Sequence, residues 1–518
     1  MILAISSSLW SILALIILFY GTRWKRNRSR LPLPPGPKKL PLIGNLLDLP
    51  SERQWEAYHK WSKEYNSDII HIDAAGTSIV VLSSMEAVRD LFDRRSSLYS
   101  DRVSLPMLVE LMGWDFGIDS RRAHRKIFHE AFNVNAAKQF HPQERVAAHR
   151  LLRRLLNDPK DIMQHFRHLA AGLIMDVTYG IDIRSPGDPY TTLAEEAVHG
   201  VSIATLPGRF LVNTIPALKY VPSWFPGAGF QRQAKEWRTA ARGLLEMPFA
   251  HAQRNIALGS ASPSFTSRSL AALEASPNNN KREHEDLIKG TAANMYAAGS
   301  DTTAATLGTF VYAMLANPKA QRKAQAELDA LLGPGHLPDF ADEVSLPYVS
   351  AVVKEVLRWK NVTPIAIPHF VSVDDEYRGY RIPAGSMVIG NTWAILHDED
   401  MYPDPHAFKP ERFLLDGKLE SGRAEPRGGR LWVRQATYGH LFSLHYRASM
   451  LATLDIKKAR DEHGNELEPS YEFFPGLVSP PLPFECSITP RSKKAVEIIH
   501  AASSGATNEL QNNLWHLT

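Results

Sequence analysis

The chain has 518 residues, 44% of them hydrophobic, enough apolar material for one large core or for two or three smaller ones. Its 59 basic and 55 acidic side chains leave a net charge of +4, which is small for this length and gives no warrant for nucleic-acid binding. The single cysteine, Cys486, excludes a disulfide framework, a cysteine-rich zinc site and an iron–sulfur cluster, and fits a reducing compartment.

In chain order, Ile2 to Tyr20 is uncharged and apolar apart from its serines, and Arg23, Lys25, Arg26, Arg28 and Arg30 follow at once. At about 1.5 Å per residue the run spans about 28 Å, close to the apolar thickness of a bilayer. Charges placed after the run fit a retained transmembrane anchor over residues 1–22, with the rest of the chain on the cytoplasmic side. Residues 23–50 form a basic, proline-rich hinge; Leu31-Pro32-Leu33-Pro34-Pro35-Gly36-Pro37 predicts a stiff, extended connector. Ile69–Ile72 and Ser78–Leu82 predict strands joined by a turn at Ala75-Gly76.

Helical periodicity dominates from Met85 to Arg358. Ser260 to Asn280, rich in Ser, Pro and Asn, predicts a surface loop, and Glu283 to Ala316 one long helix. A second β-rich piece covers about Phe370 to Ile389. With no internal repeat and no strong boundary from Ser51 to Ser492, residues 51–500 predict one mainly α domain with a small β-rich part. Residues 501–518 are a polar, frayed tail.

Inside the long helix lies Ala298-Gly299-Ser300-Asp301-Thr302-Thr303. Gly, Ser and Thr are weak helix formers, and their hydroxyls can bond back to a carbonyl one turn earlier. Two readings stay open: a tolerated weak spot, or a distorted helix that makes room for a small ligand and offers Asp301 and Thr302 for proton delivery. Glu355 and Arg358, three apart, share a helix face. Arg412, in Phe408-Lys409-Pro410-Glu411-Arg412-Phe413, can close a network with them if the fold brings the segments together.

With Arg378-Gly379-Tyr380-Arg381-Ile382-Pro383-Ala384-Gly385 these features, in this order, resemble a microsomal cytochrome P-450 monooxygenase. Ile389 to Asp398 and Gly476-Leu477-Val478-Ser479 resemble fungal members of the O-methylsterigmatocystin oxidoreductase type. The resemblance runs from Leu31 to Arg491. It implies the cytochrome P-450 fold, a haem (iron protoporphyrin IX), and electrons from NADPH through a cytochrome P-450 reductase. It also implies a small apolar substrate, a place in fungal secondary metabolism and an endoplasmic reticulum membrane location. By that resemblance Asp301 and Thr302 relay protons toward the reacting oxygen, and Glu355, Arg358 and Arg412 hold the core behind the haem. Arg125 and His369 contact haem propionates. Where the family has a Trp four residues before that Arg, this chain has Arg121. Arg122 and His124 read as a solvated basic helix face. Tyr99 to Phe116 and Val201 to Pro226 fall where the family lines its substrate pocket, and Trp224 and Phe225 read either as membrane contacts or as core.

The family's axial ligand lies in a loop of the form Phe-x-x-Gly-x-Arg-x-Cys-x-Gly, whose thiolate pushes electron density onto iron. The corresponding stretch, about Gly428 to Arg447, has no cysteine. Family likeness resumes at Ala448-Ser449-Met450-Leu451. The genetic code allows codons for Arg430 to Gln435 that, read one base out of register, encode Ala-Phe-Gly-Phe-Gly, which points to an out-of-frame passage. Cys486 lies far beyond and reads as a packing residue; His440 and His445 read as surface histidines rather than replacement ligands. The alternative function is therefore a non-catalytic member, at most a ligand-binding membrane protein.

Overall fold

The computed structural model describes residues 31–116, 121–183, 187–206, 208–276, 280–333, 335–420 and 444–503. The anchor, the basic residues up to Arg30, His440 with most of the altered stretch, and the tail from residue 504 lie outside the described residues. Among the described residues no helix is long and apolar enough to cross a membrane.

The longer helices are α1 (Gln54–Glu64), α2 (Arg121–Phe132), α3 (His141–Asn157), α4 (Ile162–Tyr179), α5 (Pro189–Ala204), α6 (Gly229–Ala257), α7 (Phe265–Ala275), α8 (Lys281–Ala316), α9 (Pro318–Leu332) and α10 (Pro347–Trp359). Local chemistry sets their ends. Pro189, Pro318 and Pro347 open α5, α9 and α10, where a missing N–H is harmless. Asp161 caps α4 at Gln164 N, and Gly180, at φ 71°, ends it.

The predicted surface loop from Ser260 to Asn280 needs correction, because α7 forms within it. Ser264 and Ser267 bond each other's backbone in a capping box, and Phe265 is buried in the main core. The polar composition of that stretch hid a short helix start.

The β-rich part has β1 (Ile69–Ala74), β2 (Thr77–Leu82), β3 (Asp101–Arg102), β4 (His369–Val371), β5 (Asp375–Tyr377), β6 (Tyr380–Ile382), β7 (Ser386–Gly390), β8 (Leu414–Leu415), β9 (Lys418–Leu419), β10 (Leu454–Lys458) and β11 (Cys486–Pro490). Five strands form one sheet in the order β1-β2-β7-β4-β3; β2 and β7 run parallel with Ile79 opposite Met387. The β1–β2 turn places Ala75 at φ 46° and Gly76 at φ 98°. The proline connector lies along this sheet: His71 N donates to Pro35 O at 2.9 Å and Arg381 N to Pro32 O at 2.8 Å. A Cβ at position 36 would lie 2.1 Å from the His71 carbonyl oxygen, so only glycine fits that approach.

The core is organised around α8. From Ala304 to Leu315 every residue of α8 is buried, the pattern of a helix packed on all sides. Small residues let its neighbours close in: added Cβ atoms at Gly299 and Gly308 would lie 3.0 Å from Ile174 and 2.5 Å from Met163 Sδ, both on α4. Residues 444–453 form a further helix against this core, followed by the β10–β11 pair.

Candidate active site

Asp301 and Thr302 are adjacent on α8 and project about 100° apart. The Ser/Thr-rich stretch does not break the helix. The Thr302 hydroxyl donates to Ala298 O at 2.6 Å and the Thr306 hydroxyl to Thr302 O at 2.5 Å. Back-bonding is present, and it adds to the backbone ladder without interrupting it.

Burial pushes the Asp301 carboxyl up to about 6; Arg167 on α4 opposes the rise, Glu195 on α5 adds to it, and His199 opposes it. Glu195 and His199, four apart on α5, and Arg167 are all exposed, while Asp301 is half-buried. The raised carboxyl thus feels exposed ionisable groups on α4 and α5 and is the chain neighbour of Thr302. Nothing in the residue pattern marks these three, since only the packing of α4, α5 and α8 brings them together.

The predicted Glu355–Arg358–Arg412 network is closed. Glu355 accepts from Arg358 Nε at 2.7 Å and Nη2 at 2.9 Å, from Arg412 Nε at 3.2 Å and from Lys409 N at 2.8 Å. Glu355 is fully buried, with the Arg358 and Arg412 side chains 2% and 9% exposed. Two guanidiniums against one carboxylate leave one positive charge over. Backbone carbonyls absorb it: Leu396 and Ala407 accept from Arg358, and Pro403, Asp404 and Ala407 from Arg412. The Arg358 guanidinium also lies 5.4 Å from the Tyr402 ring centre.

His369, on β4, is buried; its Nδ1 donates to Tyr99 O at 2.6 Å and its ring stacks on Phe92 at 4.0 Å. Arg125 is exposed on α2 and makes no ion pair among the described residues. His124 corrects the reading of a solvated basic face. It is half-buried, and its Nδ1 lies 2.7 Å from the Thr291 hydroxyl, which itself donates to Leu287 O and so accepts from the ring. That bond ties α2 to α8.

Of the two predicted lining segments, 99–116 and 201–226, parts pack on each other: Met107, Met112, Ala204, Phe210 and Val212 share one buried cluster. Trp224 and Phe225 are not core. They are 78% and 51% exposed, with Tyr220 at 78% beside them.

His445 corrects a second reading, that of a surface histidine. It is 3% exposed, stacked on Phe340 at 4.5 Å, and burial together with His149 pushes its imidazole down to about 4. Cys486 is half-buried on β11, opposite Lys458, and burial pushes its thiol up to about 12. It packs against the main core, as read from the sequence.

The sequence profile of the cytochrome P-450 family matches residues 34–426.

The chain belongs to the cytochrome P-450 family.

It is 48% identical over 489 residues to cytochrome P-450 monooxygenase 98 of Postia placenta, an alignment covering 92% of this chain and 94% of the relative. It is 42% identical over 508 residues to cytochrome P-450 monooxygenase ple1 of Rhodocybe pseudopiperita, covering 95% of each. It is 37% identical over 497 residues to a tryptamine 4-monooxygenase of Psilocybe cyanescens, covering 93% of this chain and 97% of the relative. By family the protein is a haem-dependent monooxygenase of fungal type, an oxidoreductase. When bound, haem supplies the oxygen chemistry.

The chain fits that group unevenly. Of the residues the resemblance would set around it, Thr302 is half-buried on α8, His369 is buried on β4 and Arg125 is exposed on α2. The axial position does not fit, because a protonated thiol held in the β10–β11 pair is the only cysteine in the chain. The family match ends at residue 426, just before the stretch where a cysteine ligand is absent.

Proposed function

We propose that the fold and site of this chain serve the insertion of one oxygen atom from O2 into a small apolar molecule of fungal secondary metabolism. The observation that carries the proposal is the adjacency on α8 of Thr302, whose hydroxyl donates to Ala298 O, and Asp301, whose carboxyl burial raises to about 6. In this reading Asp301 and Thr302 hold and pass protons, and Arg125 and His369 bind propionates. Glu355, Arg358 and Arg412 fix the segments around residues 396–413. Electrons come from NADPH through a cytochrome P-450 reductase.

The proposed organisation is an anchor over residues 1–22 in the endoplasmic reticulum membrane, a hinge over 23–50, a catalytic domain over 51–500 on the cytoplasmic side, and a tail. Support for membrane contact comes from an apolar surface of Leu211, Ile215, Tyr220, Trp224 and Phe225, together with the exposed Leu40, Leu42 and Leu47 of the hinge. Gly208 lies against Leu49, which joins the two stretches.

A second reading, a non-catalytic member that at most binds a ligand, is favoured by one observation: Cys486 is the only cysteine. A chimera separates the two. Residues 428–447 are replaced by the corresponding segment of the Postia placenta relative, and the chimera is supplied with haem, NADPH and reductase. The chain itself is assayed alongside: products one oxygen atom heavier, from a panel of small apolar compounds, support the first reading of the site when the chimera makes them, and the second reading of the chain as it stands when only the chimera does. A chimera that binds haem and the compounds without converting any supports the second.

A further inference from the structure

The helix over residues 444–453 packs where the family's ligand loop leads, and its first turns are badly matched to that place. Residues 445 and 447 project from roughly opposite faces of a helix, about 200° apart. His445 faces Phe340 and, beyond it, His141, whose ring stacks on Phe340 at 3.7 Å. It therefore points away from α8, and among the described residues neither ring nitrogen has a hydrogen-bond partner.

Arg447 faces α8. It is fully buried; its Nη2 reaches Thr306 O at 3.3 Å and its guanidinium lies 5.7 Å from the Phe310 ring centre. Among the described residues Nε and Nη1 have no partner, and no carboxylate pairs with it. Thr306 is one turn from Thr302, on the same face of α8. A buried, unpaired guanidinium thus stands beside the helix face that carries Thr302. Buried charges of this kind are ordinarily paired.

We infer that this polypeptide holds no thiolate-ligated haem, and that what it brings to α8 in place of a ligand-bearing loop is the uncompensated guanidinium of Arg447. Among the described residues neither candidate serves. Cys486 is held in the β10–β11 pair, and His445 points away from α8. The inference rests on family membership and not on the substrate or reductase proposed above.

The test uses the full chain, expressed with a haem precursor. Its reduced carbon-monoxide difference spectrum and thermal unfolding are recorded beside those of Cys486→Ser, Arg447→Leu and Arg447→Lys. The inference predicts no long-wavelength Soret band of the kind that gives the family its name, in the chain or in Cys486→Ser. It predicts that Arg447→Leu raises the melting temperature by several degrees and Arg447→Lys does not. A long-wavelength band lost in Cys486→Ser overturns it. So does an Arg447→Leu chain that melts lower while Arg447→Lys melts as the parent does, since the charge would then be stabilising. Failure of the function proposed above reads out separately, as a chimera without product.

Discussion

Glu355→Gln is the sharpest perturbation of the scaffold. The substitution keeps the volume and removes the one negative charge that faces two buried guanidiniums. Breaking a buried pair by removing one partner costs about 3–5 kcal/mol, because it strands the other charge. Here two cations are stranded, but the Leu396, Ala407, Pro403 and Asp404 carbonyls continue to hold them. That places the loss near the lower bound, about 3 kcal/mol. With an unfolding entropy of about 2.1 cal/mol/K per residue, a chain of 518 residues loses about 3 °C of melting temperature for that amount. Calorimetry and denaturant titration of parent and variant measure it. Arg358→Met added to Glu355→Gln is expected to recover part of the loss, by removing one stranded charge. A Glu355→Gln loss below about 1 kcal/mol would refute the reasoning, since the network would then be no more than a set of surface-like contacts.

Three further outcomes follow from the same geometry. The Asp301 carboxyl titrates near 6 in the folded chain against 3.8 ordinarily, so the folded state binds the extra proton between those values and stability falls as pH rises through them. Asp301→Asn is therefore expected to stabilise by about 3 kcal/mol above pH 7 and to be neutral near pH 3, measured by denaturant titration at both. The Cys486 thiol, raised to about 12, should react with iodoacetamide at pH 8 far more slowly in the native chain than in urea, followed by mass spectrometry; equal rates would contradict its burial. Gly290→Ala gains about 1 kcal/mol of helix propensity, but its Cβ would lie 2.5 Å from the Phe116 carbonyl oxygen. Net destabilisation of about 1–2 kcal/mol by thermal unfolding is expected.

What could be read from the residues and what could not divides along local and tertiary lines. The long helix α8, the β1–β2 hairpin with its Ala75-Gly76 turn, and the pair Glu355/Arg358 declare themselves through spacing and turn chemistry within a few residues. Arg412 is legible as a candidate third member of that pair, but its meeting with Glu355 depends on the fold, since 57 residues separate them. Helix α7 was missed because its capping box uses Ser267 where Glu or Gln is the usual signal, inside a stretch of loop-like composition. The His124–Thr291 bond, the burial of His445, and the charges of Arg167, Glu195 and His199 around Asp301 depend on how separate helices cross, which no periodicity encodes. The missing ligand is the reverse case. It is plain in the sequence, and the structure adds what takes its place beside α8: the unpaired Arg447.

The central claim is that the chain has the cytochrome P-450 scaffold without an iron thiolate. The most direct measurement is the reduced carbon-monoxide difference spectrum of the chain beside the chimera that carries a relative's segment at residues 428–447. The account predicts the long-wavelength band in the chimera and its absence from the chain. The same band in the chain itself would contradict the account, and so would its absence from a folded, haem-loaded chimera.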